Sequence, residues 1–346
     1  MENYLKETNT GEYYEEVNSI AVSFRTPLFK TPITPRENVM RILEHKKNPL
    51  WLPNILQDFN CVQPAPLIDS YARNYGGIGW FEVNWIMNNA VGAAHVDSNS
   101  YYLKDIAMWK EVVRWPEINE TLWAADGAKT VERYSLDRMT FCVVLNGMLE
   151  RLETLMGMED ALVSLLMEPE AVNEFFNALT DWYIRVFTLL RKYYRVDIVG
   201  FHDDWGTQHA TMISEATLQK CILPHIERLV KATHDMGMFF DLHSCGLVEP
   251  FVPLMIEVGI DLWEGQQNNN KCMLKEKYGD RLAFIDNIIP LDRDDASSVE
   301  KAIYEYCESN VKDGCSIAKL IAGKEELQMR EQYLYSRRLC SELDRI

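Results

Sequence analysis

Side chains able to bind a metal or move a proton collect in a few short stretches. They are His202-Asp203-Asp204, His243-Ser244-Cys245, and the single residues Glu264, Asp286 and Cys315. Apolar runs that read as buried strands precede most of them: Val196 to Phe201, Met236 to Leu242, Ile260 to Trp263 and Leu282 to Ile285. A last strand is expected over Cys315 to Leu320. In a parallel α/β sheet the reactive groups sit at the carboxyl ends of the strands. Ordinary turns would place Gly, Asn and Ser there; this chain places His, Cys and carboxylates.

Cys245 precedes Glu264 by 19 residues, about one strand–helix unit, and Cys315 by 70, a few units further on. His243, Cys245, Glu264 and Cys315 can therefore meet at one sheet end. Two thiolates, an imidazole and a carboxylate suit tetrahedral zinc. Such an ion, with one displaceable ligand, stabilises a bound thiol as its thiolate. The plain alternative is a histidine hydrogen-bonded in a polar cavity and a cysteine packed as a small buried residue.

His202, Asp203 and Asp204 are the candidates for proton transfer or for holding a polar heterocycle. Side chains alternate along a strand, so one of the two aspartates is expected to face the site. The alternative role is an aspartate capping the next helix. Trp205, Gln266, Gln267, Asn268 and Asp286 are candidates for binding a substrate ring, against an amide-rich turn for the Gln and Asn residues. Trp80, Phe81, Trp85 and Tyr101 could line a pocket for a flat ligand, or pack beneath a loop.

The chain that must position these groups has 346 residues, 47% of them hydrophobic, enough for one barrel domain or two smaller ones. No apolar run reaches the roughly 18 residues needed to span a bilayer, and the N-terminal MENYLKETNTGEYYEEV is polar, unlike a secretory signal. A cytoplasmic enzyme is expected. The eight cysteines show no framework spacing, which points to free thiols or metal ligands in a reducing compartment. A net charge of −17 argues against nucleic acid as a partner.

Residues 1–46 read as a helical and loop extension whose last helix opens on the capping box Thr34-Pro35-Arg36-Glu37. Pro49 to Pro53 reads as a short strand. Residues 60–135 read as long loops with short elements. Regular alternation starts at Met139 to Leu145, a buried strand. Helices follow, with a break at Glu168-Pro169, and another helix opens at Ser214-Glu215 and kinks at Pro224. Alternating strands and helices imply parallel pairing. The expected fold is an α/β (β/α)8 TIM barrel over residues 47–346, with a doubly wound sheet as the alternative.

Several of these segments resemble the uroporphyrinogen decarboxylase superfamily, and in particular its corrinoid-dependent methyltransferases. They are His202 to Gln208 (HDDWGTQ), Ser214 to Leu218, Pro224-His225, Leu242 to Gly246 (LHSCG) and Glu257 to Gln267 (EVGIDLWEGQQ). The early RENVMRILEHKKNPLWLP and TFCVVLNG segments extend the likeness from about Pro35 to Ala318. The resemblance implies a (β/α)8 barrel that moves a methyl group from a methylated corrinoid protein to tetrahydrofolate or to a thiol such as coenzyme M. In thiol-accepting members it implies zinc on a His-x-Cys pair and a later Cys, which carries over to His243, Cys245 and Cys315, with Glu264 as a fourth group.

The chain departs from the decarboxylases, whose Arg-Gln-Ala-Gly-Arg signature is replaced here by Asn54-Ile55-Leu56-Gln57-Asp58. Carboxylates of a tetrapyrrole would lack cationic partners there. It also has Lys319 after Ala318, where the family has proline. Expected partners are a corrinoid protein and a small-molecule methyl acceptor, with no nucleic acid or membrane, and a homodimer is among the expected assemblies. The rival functions are decarboxylation of a tetrapyrrole or other aromatic acid, and a non-catalytic corrinoid- or folate-binding accessory protein.

Overall fold

The computed structural model describes residues 5–18, 25–88, 90 and 92–343. Its strands are β1 (Leu5–Glu7), β2 (Tyr13–Asn18), β3 (Arg25–Phe29), β4 (Phe59–Val62), β5 (Gly77–Ile78), β6 (Asn84–Asn88), β7 (Ala93–Val96), β8 (Met139–Val144), β9 (Ile198–His202), β10 (Phe239–Ser244), β11 (Leu262–Gly265), β12 (Ala283–Asp286) and β13 (Ser316–Ala318). The fold is α/β: β4 and β8 to β13 belong to a seven-stranded sheet, and many helices separate its strands. The chain falls into two compact units, one of Met1–Cys61, Ser135–Met139 and Asp261–Ile346, the other of Val62–Tyr134 and Thr140–Ile260. Among the described residues no helix is long and apolar enough to cross a membrane.

In the first unit, β1, β2 and β3 form an antiparallel sheet. This corrects the expectation of helix and loop ahead of Thr34; residues 1–4 and 19–24 of that extension lie outside the described residues. The missed signal is local. The Thr8 hydroxyl accepts from the N–H groups of Thr10 and Glu12, and Gly11 takes φ +80°, so Thr8 to Glu12 is a hairpin turn. The Tyr14 ring packs 4.8 Å from Phe29, which stacks 3.9 Å from Tyr333. The helix Pro35–Leu43 opens on the capping box at Thr34 and Glu37.

Pro49 to Pro53 is not a strand. Two prolines remove ladder donors; Leu50 N–H donates to Asn38 Oδ1 instead, and only Asn54 makes a bridge, to Ala318. Strands β11, β12 and β13 pair in parallel, with Asp286 opposite Ala318.

In the second unit, residues expected as loops hold the helices Ile68–Tyr75 and Glu120–Val131 and the antiparallel sheet β5-β6-β7. Strands β8, β9 and β10 pair in parallel, with Phe141 and Phe239 both opposite Ile198. Nearly all of their residues are buried on both faces, as in sheets covered by helices. The helix Met158–Met167 stops before Pro169, which starts the 26-residue helix Pro169–Tyr194. Between β9 and β10, Ser214 caps the helix Glu215–Cys221, and a second helix, Leu223–Asp235, starts beside Pro224.

Candidate functional site

The second unit brings the two His-containing strand ends together. His202 and His243 are register partners on β9 and β10. Residues opposite each other in neighbouring strands project to the same face, and the two imidazoles stack with centroids 4.1 Å apart and planes 16° from parallel. Asp204 lies beyond β9 with Oδ1 3.7 Å from His243 Nε2 and 4.0 Å from His202 Nδ1. Cys245 Sγ is 3.3 Å from His243 Nε2.

The two loops are locked at this spacing. Cys245 N–H donates to Asp204 Oδ1 at 2.7 Å, and Trp205 N–H donates to the Ser244 hydroxyl at 2.9 Å. Gly206 and Gly246 allow the close approach, since a Cβ on Gly246, at φ +83°, would overlap the Gly206 backbone.

Asp203 and Asp204 part company, as strand alternation requires. Asp203 is fully buried and accepts from the N–H groups of Leu149 and Glu150, in the first turn of the helix Met148–Met156, and from Trp205 Nε1. Burial, then the charge of Glu150, push its carboxyl up to about 7 against these bonds. Asp203, expected among the catalytic groups, thus ties a helix terminus instead, because its strand position points it inward. Trp205, expected to bind substrate, is also fully buried, between Asp203 and Phe251.

Sequence reasoning missed the carboxylates behind the histidines. Glu150 Oε2 is 2.8 Å from His202 Nδ1, and its Oε1 is 3.0 Å from Arg73. Arg73 also donates to Asn146 Oδ1 at 3.2 Å. Burial pulls the His202 imidazole down, but the hydrogen bond and charge of Glu150 outweigh it and raise its pKa. Burial likewise pushes Glu150 up, and His202 and Arg73 bring it below its usual value. One turn on, burial and then Asp203 and Glu150 push Glu153 up to about 8, and its Oε1 is buried without a hydrogen-bond partner. Burial and then Asp204 push the Cys245 thiol up to about 12. Glu150 lies six residues beyond β8, so the first helical turn after each strand was the signal to inspect.

Among the described residues, His202, Asp204 and His243 are the only group of three or more His, Cys, Asp or Glu able to hold a metal ion; their ligand atoms lie within 4.8 Å of one another. Two imidazoles and a carboxylate, with a thiol beside them, fit zinc.

The remaining expected site residues lie in the first unit. Glu264 pairs with Lys319 at 2.5 Å. Asp286 is buried and held by Lys271 at 3.0 Å and Lys275 at 2.5 Å; burial would raise its pKa, but the two ammonium groups lower it. That pairing occupies the carboxylate expected to bind substrate. Gln267 donates to the Asn287 carbonyl, while Gln266 and Asn268 accept from Asn269 in the same turn. Cys315, expected at a carboxyl end, precedes β13 and so stands at its amino end, buried beside Gly279, with burial pushing the thiol up to about 11. Trp80 and Phe81 line a cavity of about 510 Å³ with Trp115, Trp123 and Trp182; Trp85 and Tyr101 are not in its wall.

The chain matches the family model Uroporphyrinogen decarboxylase (URO-D) over residues 99–315. No curated protein matches it. Among solved structures, a methyltransferase from Methanosarcina mazei is similar, with a TM-score of 0.59 at 13% identity, over 87% of this chain and 84% of that one; this is a likeness of fold. An uncharacterized protein matches at 12% identity and a TM-score of 0.28, over 44% of this chain and 43% of that one.

Proposed function

We propose, for a chain that belongs to the uroporphyrinogen decarboxylase (URO-D) family, a methyltransferase that takes a methyl group from a methylated corrinoid protein and passes it to a thiol. The closed (β/α)8 barrel over residues 47–346 is part of the same proposal. The observation that carries it is the cluster of His202, Asp204 and His243 with the Cys245 thiol at its edge.

These residues would hold zinc, which supplies a Lewis acid that keeps a thiol ionised at neutral pH. His202 and His243 would supply ring nitrogens from one face of the sheet end. Asp204 supplies the charge that offsets the cation, and the Cys245 N–H fixes its orientation. Asp203 and Trp205, next to Asp204 in the chain, are fully buried.

The charge of the site weighs against decarboxylation of a tetrapyrrole acid. Glu150, held below the usual carboxylate range, and Asp204 gather here, and Arg73 is already held by Glu150 and Asn146. A polycarboxylate would meet like charge without a free cation. Tetrahydrofolate is the second acceptor to consider. Glu153, held protonated near neutral pH, favours it, because a neutral carboxyl can donate to a ring nitrogen.

The deciding experiment follows demethylation of methylcobalamin by absorbance, with 2-mercaptoethanesulfonate or tetrahydrofolate as acceptor. Turnover with the thiol that disappears in His243→Ala supports the proposal. Turnover with the folate alone moves the assignment to that acceptor. Carbon dioxide release from uroporphyrinogen, or tight methylcobalamin binding without transfer to either acceptor, overturns it.

A further inference from the structure

We infer that the cavity beside the Trp80–Glu82 turn is a second binding site, built for a flat, uncharged ring that carries a hydrogen-bond acceptor.

The cavity holds about 510 Å³, within the range of small-molecule sites. Trp80, Phe81, Trp115, Trp123 and Trp182 line it, and all but Trp115 are buried. The rings stand across one another. Trp182 lies at 89° to Trp80 and 65° to Phe81, and Phe81 lies at 63° to Trp115. Walls of this kind present both ring faces and ring edges, so a further ring can stack or meet them edge-on. Ile78 and Leu122 continue the wall outward, each 61% exposed. Large apolar side chains gathered around one opening mark a binding surface.

One donor in the wall has no acceptor. Trp182 is 6% exposed, and among the described residues its Nε1 is buried without a hydrogen-bond partner. Its ring neighbours are Trp80, Phe81 and Tyr183, and none supplies an oxygen to the indole. A buried donor left unpaired is costly and calls for an explanation. An acceptor on a bound ring removes that cost.

The wall is fixed in advance. Phe81 and Glu82 both take left-handed backbone, at φ +59° and +56°. Two such residues in a row persist only where neighbours hold them. Tyr102 donates to the Phe81 carbonyl at 2.9 Å, Arg114 pairs with Glu82 at 2.5 Å, and Trp80 N–H donates to Asp69 at 2.7 Å. A preformed wall spares a ligand the cost of ordering it.

Charge decides the class of ring. Arg114 and Glu82 neutralise each other in the wall, and the remaining charged residue there, Glu117, is exposed to solvent. An ionised ring among the buried indoles would lose its hydration without gaining a partner of opposite sign.

The test uses coumarin, a flat uncharged ring with a carbonyl acceptor, and naphthalene, a similar shape without one. Both are titrated into the full chain and followed in ¹⁵N–¹H spectra of the tryptophan indoles. The Trp182 resonance is the one missing from Trp182→Phe. Coumarin should move it downfield and slow its exchange with water. Trp182→Phe should weaken coumarin about 3–10-fold and change naphthalene by less than about twofold, since only one neutral hydrogen bond is removed. Thermal unfolding checks the fold of the variant. If Trp182→Phe does not fold, Leu122→Asp at the exposed lip should weaken both probes and leave the fold intact.

A Trp182 resonance that does not move up to the solubility of coumarin overturns the proposal. Equal weakening of both probes in Trp182→Phe, or no weakening of either in Leu122→Asp, does the same. Tighter binding of 2-naphthoate or N-methylquinolinium than of coumarin overturns the choice of an uncharged ring.

Discussion

The N–H of Cys245 donates to Asp204 Oδ1 at 2.7 Å, so the loop after β10 is fastened to the carboxylate after β9. The bond survives only because two glycines let those loops touch. A Cβ on Gly206 would come within 2.7 Å of Val248 Cγ1 and 3.0 Å of the Cys245 carbonyl. Gly206→Ala should therefore push Cys245 away from Asp204. The expected result is weaker metal binding and slower methyl transfer, with stability lowered by about 1–3 kcal/mol, the usual cost of overpacking. Chemical denaturation and metal titration on the same sample separate the two effects.

Asp69 and Arg151 form a buried ion pair behind the site, with Asp69 also accepting from Trp80 N–H at 2.7 Å and from the Asn146 amide at 2.9 Å. The Arg151 guanidinium lies 4.5 Å from the centre of the Phe81 ring. Removing one partner leaves a buried charge alone, which costs about 3–5 kcal/mol. Asp69→Ala should lose that much in urea unfolding. The pair Asp69→Asn with Arg151→Met, which leaves no buried charge, should lose clearly less than Asp69→Ala, and an equal loss would show that the ion pair is not what matters.

Much of this was legible in the sequence, and the reason is geometric. Strands bury both faces, so an imidazole or carboxylate just past an apolar run stands out, and His202, Asp204, His243 and Cys245, picked out this way, lie together in the structure. Glu150 and Arg73 were not, because each lies on a helix where a charged residue is ordinary; only the fold brings them to His202. The end of the strand at which Cys315 stands was not legible. A cysteine beside a three-residue strand looks the same at either end of it, and here it precedes Ser316 to Ala318. The pairing of β1 with β2 was missed because its turn signal, Thr8-Asn9-Thr10-Gly11, sits between two short polar strands with no apolar run to mark them.

Asp58 makes a pH test away from the site. It is buried, accepts from Trp51 Nε1 at 2.9 Å and from Asn54 N–H at 2.7 Å, and burial outweighs these bonds and raises its carboxyl to about 6 from an ordinary 3.8. A raised acid binds its proton more tightly when folded, so its contribution is full below the unfolded value and is lost as pH rises from about 4 to 6. Asp58→Asn should remove that loss and flatten stability against pH over this window. It should also lower stability throughout by about 1–3 kcal/mol, since an amide offers one oxygen to two buried donors. Thermal unfolding from pH 4 to 7 would read both changes.

Three single substitutions separate the candidate ligands from the two cysteines, Cys245 and Cys315, that the family pattern suggested. His243→Ala leaves His202 and Asp204, too few groups for a closed site, and metal content of the purified protein should fall to background. Cys245→Ser keeps the two imidazoles and the carboxylate, so stoichiometric metal should remain with reduced affinity. Complete loss in Cys245→Ser would make the thiol a principal ligand and Asp204 a neighbour. Cys315→Ser should leave metal content unchanged, because that thiol sits at the amino end of β13, and should cost about 1–3 kcal/mol for burying a hydroxyl in an apolar position. Metal loss there would restore Cys315 to the ligand set and require the end of the chain to rearrange on metal binding.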